Sequence, residues 1–340
     1  MKAIRVASLI AVCAAPAAPL FAQDGALEPK EWTVPWEKTR PRDPIMDQSG
    51  KVWFVGQTGN YVAYLEPKSG EFKRYSIDDN THPHNINLDE RGGVWFTGNT
   101  NGRLYTIDPA SGVLKTIVLD PAVRDPHTMT WDKNGVAWFT AQQSNYVGRL
   151  DRATGRVRLW PMSTKGARPY GMVVDSKGQP WFDEFGTNKI GTVDPKTLAL
   201  KEFTLPDARA RPRRIALTSD DAIWYDDYSR GYIGRLDPKT GHVEEWPMPS
   251  GAGSLPYAMT SDDRDRLWVV ETGVQPNKLV AFDSKARSWV ASIPVMSNGS
   301  TANTVRHMTF NRATREIWFG TDAGTIGAVK VPTEMRKLTP

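Results

Sequence analysis

The sequence predicts an all-β protein, a seven-bladed β-propeller with four antiparallel strands in each blade. Three observations predict it. Tryptophan recurs at 53, 95, 138, 181, 224, 268 and 318, with gaps of 42, 43, 43, 43, 44 and 50 residues. The next residue is aromatic in six of the seven cases (Phe54, Phe96, Phe139, Phe182, Tyr225 and Phe319), with Val269 the exception. Beyond the N-terminal apolar run, no stretch carries a sustained helical apolar period. Self-similarity at this period, with four short strands per unit, describes propeller blades.

The elements within a repeat follow in order. The fourth repeat reads "YGMVVD", "QPWFDE", "KIGTVD" and "LKEFTLP". Between these runs lie the turn signals "DSKG", "GTN" and "DPKT". Short β-branched or alternating runs between Gly, Pro and Asp are antiparallel strands. Aspartates stand six residues before five of the tryptophans, at Asp47, Asp89, Asp132, Asp175 and Asp262, where the first hairpin turns. The tryptophans are read as blade core and carry no chemistry. The last repeat lacks a good fourth strand. The passage "LEPKEWTVPW" at 27–36 matches "LDPKTGHVEEWPMP" at 236–249, so residues 31–36 are expected to complete the last blade from outside. That closes the ring and protects a sheet edge. The loop 294–303 accounts for the enlarged last gap and is expected to cover part of the channel mouth.

The first residues, "MKAIRVASLIAVCAAPAAPLFAQDG", have a basic start, an apolar run and a small residue at Ala22. They read as a signal peptide over 1–22, with 23–340 a single propeller domain. The run is too short and too broken by proline for a membrane span. The expected location is periplasmic or secreted. The only cysteine, Cys13, lies in the signal segment, so the mature chain has neither disulfide nor thiolate chemistry. Lys and Arg total 43 against 38 Asp and Glu, and the charges are interspersed. A nucleic-acid partner would call for a basic stripe. The dense cluster "RARPRR" at 209–214 reads as a solvated loop with one inward arginine. A closed ring needs no partner, so a monomer is expected.

Aligned on the tryptophan, proline stands twelve residues earlier in six repeats. Eleven residues earlier stand Arg42, His84, His127, Tyr170, Arg213, Tyr257 and His307, each with a polar or ionisable tip. The first strand of a blade lies nearest the axis, and its start meets the end of the second strand at one end of the hairpin. These seven tips are therefore expected to ring the channel mouth. The end of the second strand adds Glu184, Asp227 and Glu271 to the same rim. Converging titratable groups in a concave place mark a candidate site. Arg42, Tyr170, Arg213, Tyr257, His307, Glu184 and Glu271 are the expected substrate-binding groups.

The unit of Pro-His or Pro-Tyr, then Trp-Phe-Thr, then Asn-x-Ile-Gly-Arg and Asp-Pro-x-Thr-Gly resembles the streptogramin B lyase (virginiamycin B lyase) family. The likeness spans all seven repeats. It implies a seven-bladed propeller that opens a cyclic depsipeptide at its ester by elimination with Mg²⁺. A histidine takes the proton beside the carbonyl, which needs a base of suitable pKa and fixed positive charge at the developing anion. The resemblance implies His127 as the base, His84 as its substrate-holding partner, and Asp125 as an acid that orients the histidine or serves the metal. Gln142 stands where the family's metal-site glutamate is expected. Two alternatives remain open: a non-catalytic propeller that binds an anionic small molecule or protein, and a lactonase-type hydrolase.

Overall fold

In the computed structural model, which describes residues 27–295 and 304–335, the chain forms seven four-stranded antiparallel sheets. The signal segment, residues 296–303 of the expected cover loop, and the last five residues lie outside the described residues. The first strands are Pro41–Met46, Pro83–Leu88, Pro126–Trp131, Pro169–Val174, Pro212–Leu217, Pro256–Ser261 and Val305–Asn311, and they define blades 1 to 7. Each packs on the first strands of its two neighbours, and blade 7 packs on blade 1, so the ring is closed. Among the described residues, the one helical element is a short 3-10 turn at Gly251–Gly253.

Closure uses the start of the chain. Lys30–Thr33 pairs antiparallel with Thr325–Lys330 as the outer strand of blade 7, so the strand expected over 31–36 is shorter and begins one residue earlier. Trp32 stacks on the blade-7 core residue Trp318 at 5.4 Å. Trp36 lies beyond the sheet and packs edge-on against Tyr61 of blade 1.

In blades 1, 2, 4 and 6 the aspartate six residues before the tryptophan has two tasks. Asp47 accepts the backbone N–H groups of Ser49 and Lys51, fixing the hairpin turn. Its other oxygen accepts the Trp53 indole N–H at 2.8 Å, which satisfies a donor that burial would otherwise strand. The same indole bond recurs at Asp89, Asp175 and Asp262, and Thr218 supplies it in blade 5. The aromatic residue after the tryptophan lies flat on the third strand. A Cβ on Gly148 would sit 2.1 Å from the Phe139 ring, which is why glycine holds the centre of the Ile-Gly-Arg motif.

Every first strand carries a bulge near its start, just after the first residue in six blades and after the second, Arg42, in blade 1. In blade 3, Pro126 pairs with Ala141 and Met129 with Phe139, so His127 and Thr128 together oppose Thr140. Two residues against one is the signature of a bulge, which bends the strand and re-aims its side chains. Two consecutive residues per blade thus reach toward the axis.

Candidate active site at the axial mouth

The axial groups lie in three layers. The second residue of each first strand supplies the ring layer: Arg42, His84, His127, Tyr170, Arg213, Tyr257 and, in blade 7, Arg306. The expectation of His307 in that ring is corrected by the register. Thr309 pairs with Trp318, whereas Thr130 pairs with Trp138, so the blade-7 hairpin is one residue longer. His307 therefore occupies the third position of its strand, one layer deeper, together with Asp43, Asn85, Thr128 and Arg214. Above the ring, toward solvent, stand half-buried residues four past the tryptophan, among them Gln57, Gln142, Phe185, Tyr228 and Asp322.

The ring is packed rather than splayed. His84 and His127 have centroids 3.5 Å apart, and His127 lies 4.1 Å from Tyr170. The Tyr170 and Tyr257 hydroxyls meet across the axis in a short hydrogen bond. Arg213 spreads over Tyr257 at 3.7 Å and Tyr228 at 4.2 Å, with Phe185 beside it. Arg42, His84, His127, Tyr170 and Tyr257 are each 5% exposed or less. The tips expected to line an open mouth thus form the floor of a shallow well.

Beneath them, Arg214 crosses the bore. From blade 5, its Nε donates to the Arg306 carbonyl of blade 7 at 3.1 Å, and its Nη1 donates to Thr128 of blade 3 at 3.3 Å. Asp43 accepts the Asn85 amide at 2.8 Å. The blades are clipped below the ring by the residue facing each bulge. Thr140 accepts the Thr128 N–H and donates to the Tyr170 carbonyl in the next blade. Thr97 does the same toward His127. Asp183 and Asp226 replace threonine in blades 4 and 5 and accept the Gly171 and Arg214 N–H groups. Burial pushes both carboxyls well above their usual range and so favours their protonated form.

Electrostatically the well is cationic. Among the described residues, Arg40, Arg42, Arg213, Arg214 and Arg306 outnumber the carboxylates around the bore, which are Asp43, Asp322 and the buried Asp183 and Asp226, whose charged form burial disfavours. Asp322 takes Arg306 in a fork, with its shortest arm at 2.6 Å, and approaches Arg40. Burial, and then these guanidiniums, hold His84 and His127 well below the usual imidazole value, so both are neutral at neutral pH. His307 is lowered to about 4, first by burial. Burial would raise Tyr257, but Arg42, Arg213, Arg214 and Arg306 outweigh it and bring the phenol down to about 7. Burial and its neighbour Tyr257 raise Tyr170.

Two expected ligand groups stand opposite the prolines that precede Tyr170 and Tyr257, as Glu184 and Glu271, and are engaged by local donors. Glu271 is fully buried and accepts the backbone N–H and hydroxyl of Ser250. Glu184 is buried beside Thr187, and burial followed by Glu202 pushes it up to about 7. Asp125 accepts the N–H groups of Gln143 and Ser144 and the Ser144 hydroxyl, so both of its oxygens hold a turn. Gln142 offers a neutral amide. A hard divalent cation wants several oxygen ligands, usually carboxylates. Among the described residues no group of three or more His, Cys, Asp or Glu could hold a metal ion. This donor set, beside surplus guanidiniums, does not fit Mg²⁺. A cleft of about 530 Å³ lies over the blade 1–blade 7 seam and meets the cationic well at Arg40 and Asp322.

Arg214, Arg306, Asp43 and Asp322 were not singled out from the sequence. The signals were present: the 209–214 cluster, expected as a loop with one inward arginine, runs into the strand Pro212–Leu217 and turns both Arg213 and Arg214 to the axis, and the final gap of 50 residues warned of a shifted phase in blade 7.

This geometry has solved counterparts. The structure superposes on selenomethionine-substituted virginiamycin B lyase from Staphylococcus aureus with a TM-score of 0.81 and 25% identity, over 90% of this chain and 100% of that one. A streptogramin B lyase structure matches with a TM-score of 0.80 and 23% identity, over 92% and 98% of the two chains. A catalytically inactive variant of the Staphylococcus aureus enzyme, solved with quinupristin, matches with a TM-score of 0.80 and 24% identity, over 90% and 100%. None of the curated proteins matches the sequence. The model of the Virginiamycin B lyase family matches residues 88–338. With the match spanning most of the ring, from the first strand of blade 2 to beyond the last strand of blade 7, the chain belongs to the virginiamycin B lyase family.

Proposed function

We propose that the protein is a carbon–oxygen lyase that opens an ester-linked ring by elimination at the axial well. One observation carries the reading: an unprotonated imidazole pair is pressed against a surplus of fixed guanidinium charge. Elimination needs both, a group able to accept a proton and positive charge where the anion develops. In the proposed step, the proton beside the carbonyl moves to His127. Its electron pair forms a carbon–carbon double bond, the carbon–oxygen ester bond breaks, and a carboxylate leaves. His84 confines the His127 ring, and the Thr128 hydroxyl meets its Nδ1 at 3.0 Å. Arg42, Arg213 and Arg214 oppose the developing negative charge. The cleft at the seam, with its volume in the usual range for ligand sites, would take the body of the substrate. Mg²⁺ enters as a variable of the assay, and no step is routed through it. The reading includes export, with cleavage after Ala22, and action as a monomer outside the cytoplasm.

The test is ring opening of quinupristin, with Mg²⁺ and with a chelator, followed by mass spectrometry. Elimination yields a linear product of unchanged mass; hydrolysis adds one water. Because burial and the arginines hold His127 low, its basic form persists below the ordinary imidazole range. Activity should therefore hold steady as pH falls through that range, and His127→Ala should abolish it. A hydrated product refutes the elimination. The second reading, a binder without catalysis, is favoured by the burial of the ring side chains, and no product from quinupristin or simpler cyclic esters would support it.

A further inference from the structure

Two arginines of the axial well have hydrogen-bonding capacity the fold does not use. Arg42 is 5% exposed and gives Nη1 to Gln57 at 3.1 Å, but its Nη2 has no partner. Its Nε stands 3.7 Å from Asp43, beyond hydrogen-bond reach. Arg214 is 2% exposed; its Nε and Nη1 are engaged, yet its Nη2 has no partner. Arg213 Nε is likewise unused. A buried guanidinium with unpaired N–H groups is costly, and an anion offsets that cost better than a neutral acceptor. The nearby carboxylates are too few: Asp43 lies between Arg42 and Asn85, and Asp322 is committed to Arg306 and Arg40. Asp183 and Asp226 are held as clips by the Gly171 and Arg214 N–H groups, and burial disfavours their charge. Beside the unused donors stand aromatic faces: Tyr170 and Tyr257 in the floor, and half-buried Phe185 and Tyr228 in the wall.

We propose that the axial well is a carboxylate-binding site, in which the unused N–H groups of Arg42 and Arg213 take the carboxylate, Arg214 adds positive charge from beneath, and the aromatic wall of blades 4 to 6 takes an attached ring. A planar carboxylate matches the edge of a guanidinium, and an aryl group packs on Tyr228 and Phe185. The ligand class is thus an aryl or arylalkyl carboxylate. In the lyase reading this is where the carboxylate freed from the broken ester would rest; to that extent the proposal rests on that reading. Binding is measured without turnover, so a failed binding test removes the site and leaves the elimination assay standing.

The probe is benzoate, with benzamide as its uncharged isostere, added to the native protein near neutral pH. Benzoate should raise the melting temperature saturably, and benzamide should not. A second readout is Tyr257. Its phenolate is maintained by the guanidinium charge, so a bound carboxylate should raise its pKa and bleach its near-ultraviolet band. Arg42→Gln should weaken benzoate about tenfold or more, the worth of a charge-assisted hydrogen bond. Arg213→Gln, at a half-buried position, should also weaken it and serves if Arg42→Gln does not fold. Equal shifts by benzoate and benzamide, no shift by either, or unchanged affinity in a folded variant would overturn the site. Tighter binding of phosphate than of benzoate would overturn the carboxylate assignment.

Discussion

Tyr257 offers the sharpest test of the charge distribution at the axis. Four guanidiniums (Arg42, Arg213, Arg214 and Arg306) act on its phenol and bring it to about 7, while Tyr170, whose hydroxyl it meets, is raised. The pair should therefore release one proton near neutrality and retain the other into strong alkali. The chain has 10 tyrosines, so raising the pH from 6 to 8.5 should produce roughly a tenth of the full tyrosine-ionisation signal. Tyr257→Phe should remove that early step and leave the alkaline one. Stability should follow with a defined sign. The folded state gives up the proton at about 7 and the unfolded chain only near 10. Between those values the unfolded state binds more protons, so this group stabilises the fold increasingly as pH rises. At about 1.4 kcal/mol per tenfold, the gain is at most about 4 kcal/mol by pH 10 and vanishes below neutrality. The measurement is denaturant unfolding of native protein and Tyr257→Phe at several pH values. A near-ultraviolet signal that stays flat to pH 8.5, or an early step that survives in Tyr257→Phe, would refute the proposed charge surplus.

Two further outcomes concern the scaffold. Gly148→Ala puts a Cβ 2.1 Å from the Phe139 ring and should cost about 1–3 kcal/mol in denaturant unfolding. Gly253→Ala, with nothing within 4 Å, should stay within about 0.5 kcal/mol. A chain shortened to begin at residue 35 loses the Trp32–Trp318 stack and bares the Thr325–Lys330 edge. It should lose about 3 kcal/mol or more and self-associate in size-exclusion chromatography.

The fold was legible because its signal is repeated seven times. The tryptophan period set the blade count, and the match between 27–36 and 236–249 located the closing strand to within a few residues. The ring was legible in six blades for the same reason. It failed in blade 7 because counting back from Trp318 assumes a constant hairpin, and the turn there carries one extra residue. The deeper layer was less visible, since simple alternation sends the residue after each ring position away from the axis. The bulge breaks that alternation and turns Arg214, Asp43 and His307 inward. The positions of Glu184 and Glu271 were legible, opposite Pro169 and Pro256, but their partners were not: a carboxylate at a strand end can satisfy local donors, and Thr187 and Ser250 engage these two.

The borrowed outer strand of the last blade also bears on how the molecule is born. Thr325 donates its hydroxyl to Glu31 across 294 residues of sequence. A ribosome delivers one half of that joint first and the other almost last. Early blades can zip in order as they emerge, but the final sheet must wait for nearly the whole polypeptide. The latch then shuts against a loop entropy that grows only slowly with length. Synthesis interrupted before residue 325 would leave an open crescent with two bare ends, so a nearly finished nascent chain should be as vulnerable to proteases as a much shorter one.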